Sequence, residues 1–217
     1  MKKPHKEFLL FEEISSHTAK QLAELLAQPE TKSVLIRLNS PGGDAAAGIA
    51  MSNAIRQFAG TVTIHVEGLC ASAATMLTCV AQTTAACNAM IMIHQCWSAV
   101  SGNAQTLRDT AAALDKFSEQ IINLYVKKTR RQFEAIKSLL ETGDCWFNAK
   151  EALDFGLIDA IGPALMVRAH VGNLKIPCAR TPLEEKAATV WRNNHGLHRT
   201  YPTIDAFIRQ CNSARNA

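Results

Sequence analysis

Three β-rich runs, each leading through a turn toward residues at helical spacing, constrain this chain more than any other feature of its 217 residues. Residues 34–38 end in the turn cluster Asn39-Ser40-Pro41-Gly42-Gly43-Asp44, and residues 45–58 return to helical spacing with Ile49 and Ile55. Residues 61–67 alternate strictly, with Val62, Ile64 and Val66 on one face and Thr63, His65 and Glu67 on the other. That period of two marks a strand with one polar face. Gly68 then punctuates the chain, residues 71–81 read as a helix of small residues, and residues 89–93 form a third, wholly apolar strand. Strands alternating with helices predict an α/β fold with a largely parallel sheet.

The flanking segments are helical. Ser15 and Ser16 offer N-caps to a stretch whose Ala19, Leu22, Leu25 and Leu26 share a face, and Pro29 stops it. Residues 103–128 place Leu107, Leu114, Phe117, Ile121 and Leu124 beside polar positions, a helix of about seven turns. A helix that long is predicted to pack on something large. Residues 133–140 form another helix, and Asn148-Ala149-Lys150-Glu151 is a capping box opening a short helix that Gly156 ends. Beyond Pro163 the texture changes: Pro177, Pro182 and Pro202 separate two short helical patterns over residues 183–191 and 203–211. The expected organisation is a domain over residues 1–162 and an extension over residues 163–217.

Charge divides at the same place. Residues 1–162 carry 15 Lys and Arg against 16 Asp and Glu, while residues 163–217 carry 8 against 3, so the extension holds the net positive charge. Such an asymmetry speaks to solubility and weak association, and nucleic acid is not an expected partner. Seven cysteines without a C-x-x-C pair suggest neither a disulfide framework nor a zinc site, and fit a reducing cytoplasm. The apolar stretch within residues 1–11 is too short for a signal-peptide core. Residues 68–93 run 26 positions without a formal charge, long enough to span a bilayer. They contain four Thr with Ser72, Gln82 and Asn88, and are rich in Ala rather than Leu, so the segment is expected inside protein and not in a membrane.

Candidate chemistry gathers where strands end. Ser72 arrives where a strand has turned at Gly68 and a helix begins, so the helix dipole and nearby backbone N–H groups favour a developing oxyanion. This is the logic of a nucleophile elbow without the G-x-S-x-G spelling, and alone it reads more readily as an ordinary helix cap. His94 leaves an apolar strand with its backbone held and its ring free to reach a cleft, which suits a general base. His65, on the polar side of its strand, is a weaker candidate. Gly42-Gly43 follows a strand and precedes a helix, where free N–H groups cradle an anion. With no G-x-G-x-x-G and no P-loop lysine, nucleotide binding is disfavoured.

Four blocks then occur in one order: Asn39-Ser40-Pro41-Gly42-Gly43-Asp44; Gly68-Leu69-Cys70-Ala71-Ser72-Ala73-Ala74; Met92-Ile93-His94-Gln95; and Asp144 ahead of Ala149-Lys150-Glu151-Ala152 and Phe155-Gly156-Leu157-Ile158-Asp159. Together, over about residues 8–162, they resemble the ClpP family of serine peptidases. The resemblance implies a ClpP/crotonase-like fold of repeated β-β-α and βαβ units with a long oligomerisation helix. It implies Ser72 as nucleophile, His94 as base, Asp144 as the supporting carboxylate, and the backbone N–H groups of Gly43 and Ala73 as the oxyanion hole. Peptide bonds would be hydrolysed through an acyl-enzyme, with no metal and no cofactor.

Asp144 matches least well, and Asp109 and Asp154 stay open as alternatives. Cys70, Cys96 and Cys145, beside the three positions, depart from the family's usual residues, as small apolar filler or as a redox-sensitive set. The basic tail departs further and looks more like the ClpP-related head maturation (prohead) proteases of phages and prophages, which cleave scaffold and capsid proteins. Expected partners are therefore polypeptide substrates and further copies of the chain in a ring or double ring, in the host cytoplasm or the prohead interior. Alternatives are a housekeeping ClpP subunit working with an unfoldase ATPase, an inactive assembly scaffold, and a crotonase-type acyl-CoA enzyme.

Overall fold

The computed structural model describes residues 5–162; the expected extension and its two helices lie outside the described residues. Seven strands and six helices alternate through this part of the chain. Strand β1 (His5–Leu10) pairs parallel with β2 (Ser33–Ser40), and β2 pairs parallel with β3 (Thr61–Ala71). Strand β4 (Gln82–Ala86) lies parallel along the first half of β3, and β7 (Ala160–Gly162) lies parallel on β4. The second half of β3 pairs parallel with β5 (Met90–Ile93), and β6 (Cys145–Asn148) runs antiparallel to β5. The long strand β3 thus serves two partners in succession on one side. The expected α/β class with a mostly parallel sheet is what the chain adopts.

Apolar burial explains the layers. In β2, Val34, Ile36, Leu38 and Ser40 alternate as buried positions. Helix α1 (Ser16–Ala27) begins at Ser15, which forms a capping box with Thr18, and buries Leu22 and Leu26. It packs against α2 (Ala45–Gln57), whose first turn is held by the Asp44 carboxylate accepting from the Ala47 N–H at 2.7 Å. Helix α4 (Ala104–Thr129) starts at the Asn103 cap and buries only Ile121, Ile122, Tyr125 and Thr129, near its C-terminal end. Burying each isoleucine contributes about 1.5–3 kcal/mol, so this short stretch anchors an otherwise exposed helix. Lys128 adds an ion pair to Asp159 at 2.7 Å, and that carboxylate also accepts from the Thr83 N–H at 2.7 Å. Helix α5 (Phe133–Glu141) leads to β6, and α6 (Ala149–Phe155) starts on the Asn148–Glu151 capping box and ends at Gly156 in the left-handed region.

Two expectations are corrected. Residues 71–81 are not one helix: β3 continues to Ala71, a 3₁₀ turn spans Ser72–Ala74, and α3 is the single turn Thr75–Thr78. The chain then enters β4, where the β-branched Thr83 and Thr84 favour a pleated strand over a helix. The uncharged run of residues 68–93 is therefore divided among several buried elements. No helix among the described residues is long and apolar enough to cross a membrane. Second, the polar face read for β3 is covered at His65, which is 4% exposed.

Candidate active site

The turn after β3 has an unusual backbone. Ser72 has φ 55°, one of two non-glycine residues with positive φ among those described. A side chain in this region costs of order 1–3 kcal/mol and persists only where surrounding structure fixes it. Here the fixing is visible. The Ser72 carbonyl accepts from the Thr75 hydroxyl at 2.6 Å, Ala71, Ala73 and Ala74 are buried, and the loop before α2 presses against the turn. A Cβ on Gly42 would stand 2.6 Å from the Ala71 carbonyl oxygen and 2.7 Å from the Ser72 Cβ. Only glycine, here at φ 98°, lets the two loops approach so closely. The Ser72 side chain caps no helix, which disposes of the simpler reading of this serine; its hydroxyl lies 2.6 Å from His94 Nε2.

His94 directly follows β5 and is positioned by the register of the sheet. In β5, Ile91 and Ile93 point into the core while Met90 and Met92 are more exposed, so the alternation puts His94 on the outer face. The β5–β6 register pairs Ile93 with Cys145, and continuing it by one residue sets Asp144 across from His94. Asp144 Oδ1 stands 3.5 Å from His94 Nδ1, the two side chains being 35% and 17% exposed. That separation exceeds the about 2.9 Å of a well-made N–H···O bond. The turn holding Asp144 is defined by Gly143 at φ 114° and by the Thr142 hydroxyl donating to the Leu139 carbonyl at 2.7 Å.

The remaining predicted residues fall into place or out of it. Asp109 accepts from Gln105 on α4, and Asp154 pairs with Lys150 at 2.9 Å on α6; of the three candidate aspartates, Asp144 is the one against His94. Gly43, at φ 140°, forms a parallel bridge with Ile14 in which the Ile14 N–H donates to the Gly42 carbonyl and the Asp44 N–H donates to the Ile14 carbonyl. In such a bridge the N–H of Gly43 itself points away from Ile14. Ala73, in the 3₁₀ turn, is buried directly after Ser72. His65 is elsewhere, its Nδ1 on the Thr84 hydroxyl at 2.8 Å and its Nε2 buried without a partner.

The cysteines near the site are quiet thiols. Burial pushes Cys70 far up, pushes Cys145 up to about 11, and raises Cys96. All three are therefore protonated at neutral pH, which weakens them as nucleophiles and as oxidant targets. Among the described residues no group of three or more His, Cys, Asp or Glu is placed to hold a metal ion.

The sequence alone did not single out Asn39, Ser40, Thr75 or Tyr125. Asn39 Oδ1 accepts from the Leu69 N–H at 2.9 Å and Ser40 Oγ accepts from the Gly42 N–H at 3.2 Å, which ties the glycine loop to β3. The turn composition around Pro41 hinted at such side-chain bonds but named no partners.

The chain is thus a parallel-dominated α/β protein that sets a serine hydroxyl, on a strained turn, against an imidazole. A sequence profile of the Clp protease family matches residues 8–164, and the chain belongs to that family. It is 34% identical over 155 residues to the ATP-dependent Clp protease proteolytic subunit 1 of Chlamydia muridarum, covering 69% of this chain and 80% of that one. It is 33% identical over 152 residues to proteolytic subunit 2 of Treponema denticola, covering 69% and 76%. Among solved structures, a ClpP1 mutant from Listeria monocytogenes superposes with a TM-score of 0.65 at 25% identity, over 73% of this chain and 91% of that one.

Proposed function

We propose that the chain is a serine endopeptidase in which Ser72 is the nucleophile, His94 the general base and Asp144 the carboxylate that orients the imidazole. The observation that carries this reading is the 2.6 Å contact between His94 Nε2 and Ser72 Oγ, made by a serine held at φ 55°. A carboxylate only accepts hydrogen bonds, so Asp144 favours the tautomer with its proton on Nδ1 and leaves Nε2 free to take the serine proton. Ser72 Oγ attacks the peptide carbonyl as that proton moves to His94. The N–H groups of Gly43 and Ala73 stabilise the oxyanion, and His94 returns the proton to the leaving amine. Water then hydrolyses the acyl-enzyme by the same steps. The reading calls on no cofactor.

As a proteolytic subunit of this family, the chain would assemble into a ring or double ring through α4 and receive cytoplasmic polypeptides from an unfoldase ATPase. The relatives' names and the apolar side chains left on α4, Leu107 and Phe117 at 45% and 37% exposure, support this. Phage or prophage head maturation is a second reading, favoured by the net positive charge of residues 163–217. Release of unfolded protein fragments only with an unfoldase and ATP would favour the first; cleavage of a scaffold protein without ATP would favour the second.

The deciding experiment is intact-mass detection of a fluorophosphonate adduct. A single adduct on the wild type that is absent from Ser72→Ala is expected. No adduct on an assembled oligomer would overturn the peptidase reading and favour an inactive scaffold.

A further inference from the structure

We propose that Tyr125 is a positioning residue for the oxyanion hole, acting through Thr75 and the Ser72 carbonyl; this rests on the reading of Ser72 as nucleophile. The Thr75 hydroxyl lies 2.6 Å from the Ser72 carbonyl and 2.6 Å from the Tyr125 hydroxyl. A carbonyl can only accept, so the single Thr75 proton is spent on Ser72, and Tyr125 must donate to Thr75. The result is a one-way chain, Tyr125 O–H to Thr75 O–H to Ser72 C=O. Thr75 is fully buried and Tyr125 is 1% exposed, so water does not compete for either bond. Burial also pushes the Tyr125 phenol well above its ordinary range, so it remains a donor at working pH.

The Ser72 carbonyl shares a rigid peptide plane with the Ala73 N–H, and in a trans peptide the two point in opposite directions. Pinning the carbonyl with Thr75, through its backbone N–H as well as its hydroxyl, therefore aims the Ala73 N–H outward, as an oxyanion donor requires. It also holds the positive φ of Ser72 against relaxation. Because Tyr125 sits in the buried part of α4, the same chain connects the site to the helix whose remaining length is exposed.

The test follows fluorophosphonate labelling of Ser72 on the full-length assembled protein at saturating probe. Tyr125→Phe and Thr75→Val should each slow the maximal labelling rate, about three- to tenfold for the tyrosine change, the factor of one neutral hydrogen bond. The half-saturating probe concentration should not move. Thr75→Ser keeps the hydroxyl and should restore the rate, and Tyr125→Phe in the Thr75→Val background should add little. Ile122→Val, which trims packing on the same helix face, should lower the melting temperature without slowing labelling. Wild-type rates in both Tyr125→Phe and Thr75→Val would overturn the inference while leaving Ser72 in its role. Absence of any Ser72-dependent adduct on the wild type would overturn the nucleophile reading and this inference with it.

Discussion

Ser72 and His94 meet at 2.6 Å, yet the elements carrying them differ in nearly every physical respect. The serine directly follows the central strand β3, paired on both sides, and its turn is packed by Gly42, Ala73 and Ala74 and tied to α4 through Thr75 and Tyr125. The histidine and Asp144 instead sit where β5 meets β6, and β6 pairs with no other strand among those described. That pair is only 3.5 Å close, with Met90 and Trp146 each 38% exposed on the two strands. One half of the site is over-determined and strained; the other rests on a single strand pairing. The serine side is thus built in advance, while binding or assembly has room to tighten the histidine side, since resting contacts of this kind commonly shorten in the reacting complex.

The largest effect should come from the over-determined half. Ser72→Ala should abolish the fluorophosphonate adduct and lower peptide hydrolysis by a thousandfold or more, about the loss that follows removal of a serine nucleophile. On the looser side, Asp144→Asn should reduce the rate about a hundred- to ten-thousandfold while leaving slow labelling measurable, because the serine turn does not depend on it. Asp109→Asn and Asp154→Asn should label at the wild-type rate. If either matched Asp144→Asn, the pairing of β5 with β6 would not be what organises His94.

The same contrast governs what could be read before the structure. The glycine loop, the Ser72 turn and the His94 strand end each had a local signature, because turn chemistry and strand alternation are written in neighbouring residues. The caps at Ser15 and Asn148 and the long helix were legible for the same reason. Strands β4, β6 and β7 were not, being three to five residues long and defined by their partners rather than by a period. The family resemblance pointed to Asp144, but what sets it rather than Asp109 or Asp154 against His94 is the register of β6 on β5, a long-range fact. Tyr125 lies one turn beyond Ile121 on the apolar stripe of α4, which signals burial but not a hydrogen bond to a residue 50 positions earlier.

A subtler way to probe the rigid half is to add one carbon to it. Gly42→Ala would place a Cβ against backbone at 2.6 Å in a φ of 98°, and the neighbouring atoms cannot swing aside. The substitution should cost about 1–3 kcal/mol from conformation alone and shift Ser72 off His94, seen as a lower melting temperature together with lost labelling. Gly68→Ala meets only the Asn39 side chain, at 3.0 Å, without a positive φ, so it should cost less in both measurements. Equal effects would mean that the approach of the glycine loop to the serine turn is not what fixes the site.

The smallest expected effect concerns a histidine outside the site. Burial lowers the His65 pKa, with Glu67 opposing and Arg37 assisting, and these two close their own ion pair at 2.6 Å. The folded protein therefore holds His65 neutral where the unfolded chain would bind a proton. A lowered folded-state pKa contributes stability that is complete above the ordinary imidazole value of 6.5 and is lost as pH falls below it. The melting temperature of the wild type should thus decline on acidification, and His65→Gln, which can still bond Thr84, should decline less steeply. Every other group is common to the two proteins, so the difference between the two slopes isolates His65. Parallel slopes would show that the strand centre accommodates the charged ring, and that the rigidity assigned to β3 stops short of its first half.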